Sequence, residues 1–136
     1  MIVLGVLTMI VLAGSSQFTS LAQETQDSTF VKVQYFHPRI RCQTCVTIES
    51  FADAVMTGSF RMELALGKVR WQVTDYEKEN DTSSVFRYGI ENQVLIISRI
   101  VRGREIQWKN LTKVWKLVED YQRFEKYLVK NVREMM

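Results

Sequence analysis

The residues with most chemistry in this chain are Cys42 and Cys45, its only two cysteines, spaced C-x-x-C. Two thiols one helical turn apart can close a disulfide and open it again, which is a two-electron redox couple. They follow an alternating apolar run, Val31, Val33 and Tyr35, and a short loop holding the only His and the only Pro, His37 and Pro38. A helical pattern begins directly afterwards. The N-terminus of a helix offers unpaired N–H groups and about half a positive charge, both of which favour a thiolate. Cys42 would sit at that end as the exposed nucleophile, its thiolate favoured also by Arg39 and Arg41. Cys45, one turn inside, would be the resolving thiol on the buried face.

Other chemistries use the same residues. The pair could be a static disulfide that only pins the start of the helix. It could also bind metal: Cys42, Cys45 and His37 supply three ligands, although a zinc site usually takes a second cysteine pair and none exists. His37 is otherwise a general base near Cys42 or an ordinary residue at a loop end. Glu49, one turn beyond Cys45, is either part of a proton relay or a solvated helix residue.

The elements that position these residues can be read from periodicity. Residues 31–36 form a strand that Pro38 stops, because proline cannot donate to the ladder. Residues 43–57 show helical spacing, with Cys45, Ile48, Ala52, Val55 and Met56 on one face. Gly58 interrupts, and a second piece, 60–66, ends at Gly67, with Phe60, Met62 and Leu64 facing inward. Residues 69–76 alternate as a second strand. Asn80 or Asp81 caps a short helix to Tyr88, closed by Gly89. A buried strand at 93–101, a turn at Gly103 and an edge strand at 105–109 make a hairpin. Asn110 caps a turn covering Val114, Trp115 and Leu117. Asp120 then caps a last helix carrying Tyr121, Phe124, Leu128, Val132 and Met135. The three tryptophans, Trp71, Trp108 and Trp115, read as core. The order β-α-β-α-β-β-α implies an α/β fold with a central mixed sheet of about four strands flanked by helices. Parallel pairing through crossovers and an antiparallel edge from the hairpin are expected.

A chain of 136 residues allows one domain, and at 46% apolar it can bury a core without staples. Stability alone therefore does not call for the cysteines. The net charge of +3 is too small to imply nucleic acid. From Arg99 onward ten Lys or Arg face five Asp or Glu, which reads as a solvated helix surface. Residues 1–22 carry no charge and include an apolar run of about a dozen, short of the roughly 20 a spanning helix needs. Small residues at Ser20 and Ala22 suit a signal peptidase, so 1–22 reads as a signal peptide, 23–29 as a linker and 30–136 as the folded domain. Export would place the protein in the periplasm or outside the cell, where disulfides persist. An uncleaved anchor is the alternative, and only then would the chain contact a membrane.

The element order, with C-x-x-C directly after the first strand, resembles the thioredoxin fold, as does Tyr88-Gly89-Ile90 at the end of a helix before a strand. More narrowly, Tyr35-Phe36-His37, Arg41-Cys42-Gln43-Thr44-Cys45 and Ile48-Glu49 resemble the nitrophenyl compound nitroreductase subunit ArsF family, whose members are small, exported, thioredoxin-like proteins. The resemblance implies a redox-active C-x-x-C with Cys42 and Cys45 as catalytic residues; the residues around them offer His37 and Arg41 as accessories, and no cofactor is expected. Three departures from thioredoxin narrow it. Gln43-Thr44 replaces Gly-Pro, no proline precedes the third strand, and Gln34 stands for the buried acid of the first strand. Those losses favour thiol–disulfide exchange or electron transfer with one dedicated protein partner over general protein reduction. The other class of function is a non-catalytic binding module or metal carrier.

Overall fold

The computed structural model describes residues 28–136. The expected signal peptide and most of the expected linker lie outside the described residues. Thr29, expected in the linker, pairs with Val101 and opens the first strand.

The elements are β1 (Thr29–His37), α1 (Gln43–Ser59), α2 (Arg61–Ala65), β2 (Val69–Asp75), α3 (Thr82–Tyr88), β3 (Val94–Val101), β4 (Arg104–Asn110), a 3₁₀ turn (Thr112–Lys116) and α4 (Tyr121–Met135). The sheet order is β2-β1-β3-β4. β1 and β2 are parallel, whereas β3 is antiparallel to both β1 and β4. This mixed α/β sheet with its flanking helices has the thioredoxin-like topology. Parallel pairing holds only across the first crossover. Between β2 and β3 the chain turns back on itself, with Asp81 N–H bonded to the Tyr76 carbonyl and Ile90 N–H to the Val85 carbonyl. The chain re-enters at the same end, with Val94 opposite Phe36.

Side-chain alternation divides the sheet into two faces. Val31, Val33, Tyr35, Leu95 and Ile97 pack with Ile48, Ala52, Val55 and Met56 of α1 and with Phe124, Leu128 and Val132 of α4. On the other face Phe36 and Ile96 meet Tyr88 and Ile90. Each buried Leu, Ile or Phe contributes about 1.5–3 kcal/mol, so the first face holds most of the stability.

The helix ends follow local chemistry. Asp81 accepts a hydrogen bond from Ser84 N–H at 3.0 Å, and Asp120 accepts one from Arg123 N–H at 3.1 Å. Gly89 stands at φ 60°, in the left-handed region that closes helices. Asn110, expected as a cap, instead ends β4, and the turn starts from Leu111 with no side-chain bond. Two tryptophans expected in the core are partly outside it: Trp108 is 39% exposed and Trp115 36%. Trp108 sits on edge strand β4, where only one neighbour strand shields it, and stacks edge-on with Tyr88 at 5.0 Å. Trp71 does pack against the core and donates to Asp53 Oδ1 at 3.0 Å. Met62 is exposed, because five-residue α2 presents Leu64 and not Met62 to the core. Among the described residues no helix is long and apolar enough to cross a membrane.

Burial separates two substitutions of large apolar residues. Ile97→Ala, in the centre of β3 and fully buried, should cost about 2–5 kcal/mol of unfolding free energy in a urea titration. Phe86→Ala, at a side chain 92% exposed on α3, should change it by less than about 0.5 kcal/mol.

Candidate functional site

The cysteines stand where β1 hands over to α1. β1 ends at His37, whose carbonyl accepts from Tyr76 N–H at 3.1 Å. The loop of Pro38 to Arg41 is held from the same side, with Arg39 N–H donating to Glu77 Oε2 at 2.9 Å. Asp75 folds the neighbouring loop by accepting from Glu77 and Lys78 N–H groups, and those bonds hold its carboxyl below the usual range, the Lys78 bond contributing most.

Cys42 is the N-cap of α1, in extended conformation at φ −84° and ψ 164°. Cys42 Sγ accepts from Cys45 N–H at 3.2 Å, and Cys45 Sγ accepts from Cys42 N–H at 3.1 Å. The two sulfurs thus fill the roles that oxygens fill in a capping box. They are bonded to each other as a disulfide, with the Cα atoms 5.1 Å apart. Cys42 is exposed and Cys45 is fully buried, in contact with the core below α1. An incoming thiolate can therefore reach Cys42 and not Cys45. Leaving electron density falls on the sulfur inside the helix.

The expected accessories have definite places. Arg41 pairs with Glu49, one turn beyond Cys45 on α1, each side chain about a quarter exposed. Its charge is shared with that carboxylate and is not committed to Cys42. Glu49 is thus neither a free solvated residue nor joined to the sulfurs. His37 is buried, with Nδ1 2.9 Å from the Pro38 carbonyl. A carbonyl only accepts, so Nδ1 is the donor in this contact. His37 lies opposite Asp75 in the β1/β2 register and adds to the lowering of that carboxyl. Among the described residues no three His, Cys, Asp or Glu side chains converge as a metal site while the cysteines are joined as a disulfide.

Gln34 is on the wrong face for the role of the buried acid. Alternation along β1 turns it away from α1, and its amide donates to Thr74 Oγ1 at 3.1 Å. The β1 side chain that does reach the cysteine turn is Tyr35. Its hydroxyl donates to the Cys45 carbonyl at 2.9 Å. Burial pushes the Tyr35 pKa up to about 12, and nearby Arg41 lowers it only partly. Sequence reasoning treated Tyr35 as one more apolar position. A buried tyrosine hydroxyl needs a partner, and that requirement was the available signal.

No protein-family model matches the chain, and no curated protein does. Among solved structures, one described as the structure of a malarial protein is similar at a TM-score of 0.46 and 14% identity, over 79% of this chain and 98% of that one. A thioredoxin of Fasciola hepatica is similar at a TM-score of 0.41 and 17% identity, over 76% and 88%. The fold assignment stands on strand order and direction.

The raised Tyr35 pKa has a consequence in alkali. An unfolded tyrosine titrates near 10, so between pH 10 and about 12 the unfolded chain releases a proton that the folded chain retains. The stabilisation is fully present below pH 10 and is lost as pH rises through that window. Tyr35→Phe should lose less stability than wild type between pH 9 and pH 11, by about 1 kcal/mol, in denaturant titrations at the two pH values. Equal losses would mean that the Tyr35 hydroxyl ionises as freely in the fold as in the open chain.

Proposed function

We propose that this protein is a thiol–disulfide exchange protein whose Cys42/Cys45 pair passes two electrons to or from a protein partner. One observation carries the proposal: the disulfide joins an exposed sulfur at a helix N-terminus to a fully buried one a turn inside. A purely structural disulfide gains most by closing a long loop, and a three-residue separation closes almost none.

A partner thiolate attacks Cys42 Sγ, the Cys42–Cys45 bond breaks, and Cys45 leaves with the electron pair and takes a proton. A second partner thiolate then attacks the partner sulfur of the mixed disulfide and releases Cys42 as a thiolate. The partner ends oxidised and this protein ends as a dithiol. Run backwards, the same steps reduce a partner disulfide, with Cys42 attacking first and Cys45 resolving.

A macromolecular partner is supported by the surroundings of Cys42. Ile40 is 86% exposed two residues before it, and Val46 is exposed on the next turn of α1. Apolar side chains beside the one reachable sulfur suit a docked polypeptide. The motif resemblance to the ArsF family and the uncharged N-terminal 22 residues support an exported protein acting in the periplasm or outside the cell, where a disulfide can be maintained. The changes at Gln43-Thr44 support a dedicated partner.

Variants at the two cysteines separate their roles. Cys45→Ser, which leaves the exposed thiol without its resolver, should accumulate a mixed disulfide with partner protein in non-reducing gels of the native host. Cys42→Ser should accumulate none. No adduct from either variant would contradict exchange. Stoichiometric zinc that copurifies with the reduced protein and is lost in Cys42→Ser would replace it with metal carriage.

A further inference from the structure

The disulfide pins the first turn of α1 only while it is closed. Both sulfur caps depend on it, since each places an N–H against the sulfur of the other cysteine. On reduction both side chains regain rotation about χ1 and the caps lose their fixed acceptors. One tie to this turn from another element involves no sulfur. It is the hydroxyl of Tyr35, which donates to the Cys45 carbonyl at 2.9 Å.

Tyr35 is well placed to hold. Its side chain is 1% exposed and lies in the central core with Val33, Ile48 and Leu95. β1 is flanked by strands on both sides, so its backbone does not move with the loop. Burial keeps the hydroxyl protonated, and a protonated hydroxyl is a donor in both oxidation states.

We propose that Tyr35 is the positioning residue of this dithiol: through the Cys45 carbonyl it keeps the first turn of α1 formed in the reduced protein, so that Cys45 stays within reach of Cys42. The proposal rests on the exchange reading above. Tyr35 does not touch a reacting sulfur in this role; it acts through the backbone that carries one. The consequence is asymmetric between redox states. Without the hydroxyl, the oxidised turn is still held by a covalent bond, while the dithiol turn gains alternatives. The effective concentration of Cys45 at Cys42 falls, disulfide formation becomes less favourable, and the reduction potential rises.

Tyr88 provides the control. It is another buried tyrosine with a hydrogen-bonded hydroxyl, donating to Glu105 Oε2 at 2.5 Å, and it packs on the opposite face of the sheet. Tyr35→Phe and Tyr88→Phe each remove one oxygen. Two readouts apply to both: the equilibrium of the cysteine pair with glutathione buffers, and the rate at which Cys45 resolves a glutathione adduct on Cys42. Tyr35→Phe should lower the effective concentration several-fold to about tenfold, tenfold being about 30 mV upward in potential, and slow resolution by a similar factor. Tyr88→Phe should leave both unchanged. A Tyr35→Phe protein that matches wild type, or a Tyr88→Phe protein that shifts equally, overturns the proposal. A wild type that never forms the glutathione adduct overturns the exchange reading, and the proposal with it. Should Tyr35→Phe not fold, amide exchange in the wild type decides. The Val46 N–H, bonded to the Cys42 carbonyl at 3.1 Å, should be protected alike in the dithiol and disulfide forms. Protection that drops tenfold or more on reduction contradicts the tie.

Discussion

Closing the first turn of α1 with sulfur is the constraint on which the reactive end of the molecule depends. A helix starts with N–H groups that lack partners, and side-chain oxygens usually supply them. Here the acceptors are the two cysteine sulfurs, and the same turn that needs them also sets their separation. One sulfur must then lie outside the helix at its cap, and the other inside against the core. The division of labour between an exposed and a buried thiol is therefore a property of the cap and not of the dipeptide between the cysteines.

The rest of the fold delivers that cap to an accessible edge. β1 is a central strand, so its C-terminal end is fixed by β2 on one side and β3 on the other. Its last residues run into a loop anchored by Glu77, and α1 returns across the sheet on the face where α4 also packs. β3 begins beside the end of β1, with Val94 opposite Phe36, so the start of a third strand borders the cysteine loop. Charge near the site is largely neutralised internally. Arg41 is spent on Glu49, His37 is tied to the Pro38 carbonyl, and no acid occupies the first turn of α1. The helix end, with Arg39 in the loop before it, is left as a source of positive potential for a Cys42 thiolate.

Much of this was legible from residue pattern. The apolar stripe of Cys45, Ile48, Ala52, Val55 and Met56 named the buried face of α1 residue for residue, and Asp81, Gly89 and Asp120 marked helix ends through chemistry local to each. Legibility failed where a position is decided by partners distant in sequence. Nothing within β1 says that Gln34 faces Thr74, forty residues away, and Tyr35 faces the cysteine turn; that follows from which face α1 covers. The direction of β3 likewise depends on where the segment after β2 packs, with Tyr88 and Ile90 against Phe36 and Ile96. Trp108 and Trp115 looked like core because tryptophan is large and apolar, yet an edge strand and a five-residue turn cannot cover them. Arg41 could be placed beside Cys42 by sequence, but its partner Glu49 becomes visible only when α1 is wound.

The central claim is that the Cys42/Cys45 disulfide is a working redox couple and not a clasp. Its reduction potential, measured on the full chain equilibrated with defined ratios of oxidised and reduced glutathione or dithiothreitol, tests this most directly. The account predicts a reversible two-electron titration at a potential above about −300 mV, within the span of exchange proteins. A potential well below that value would place the bond among structural disulfides and contradict the account.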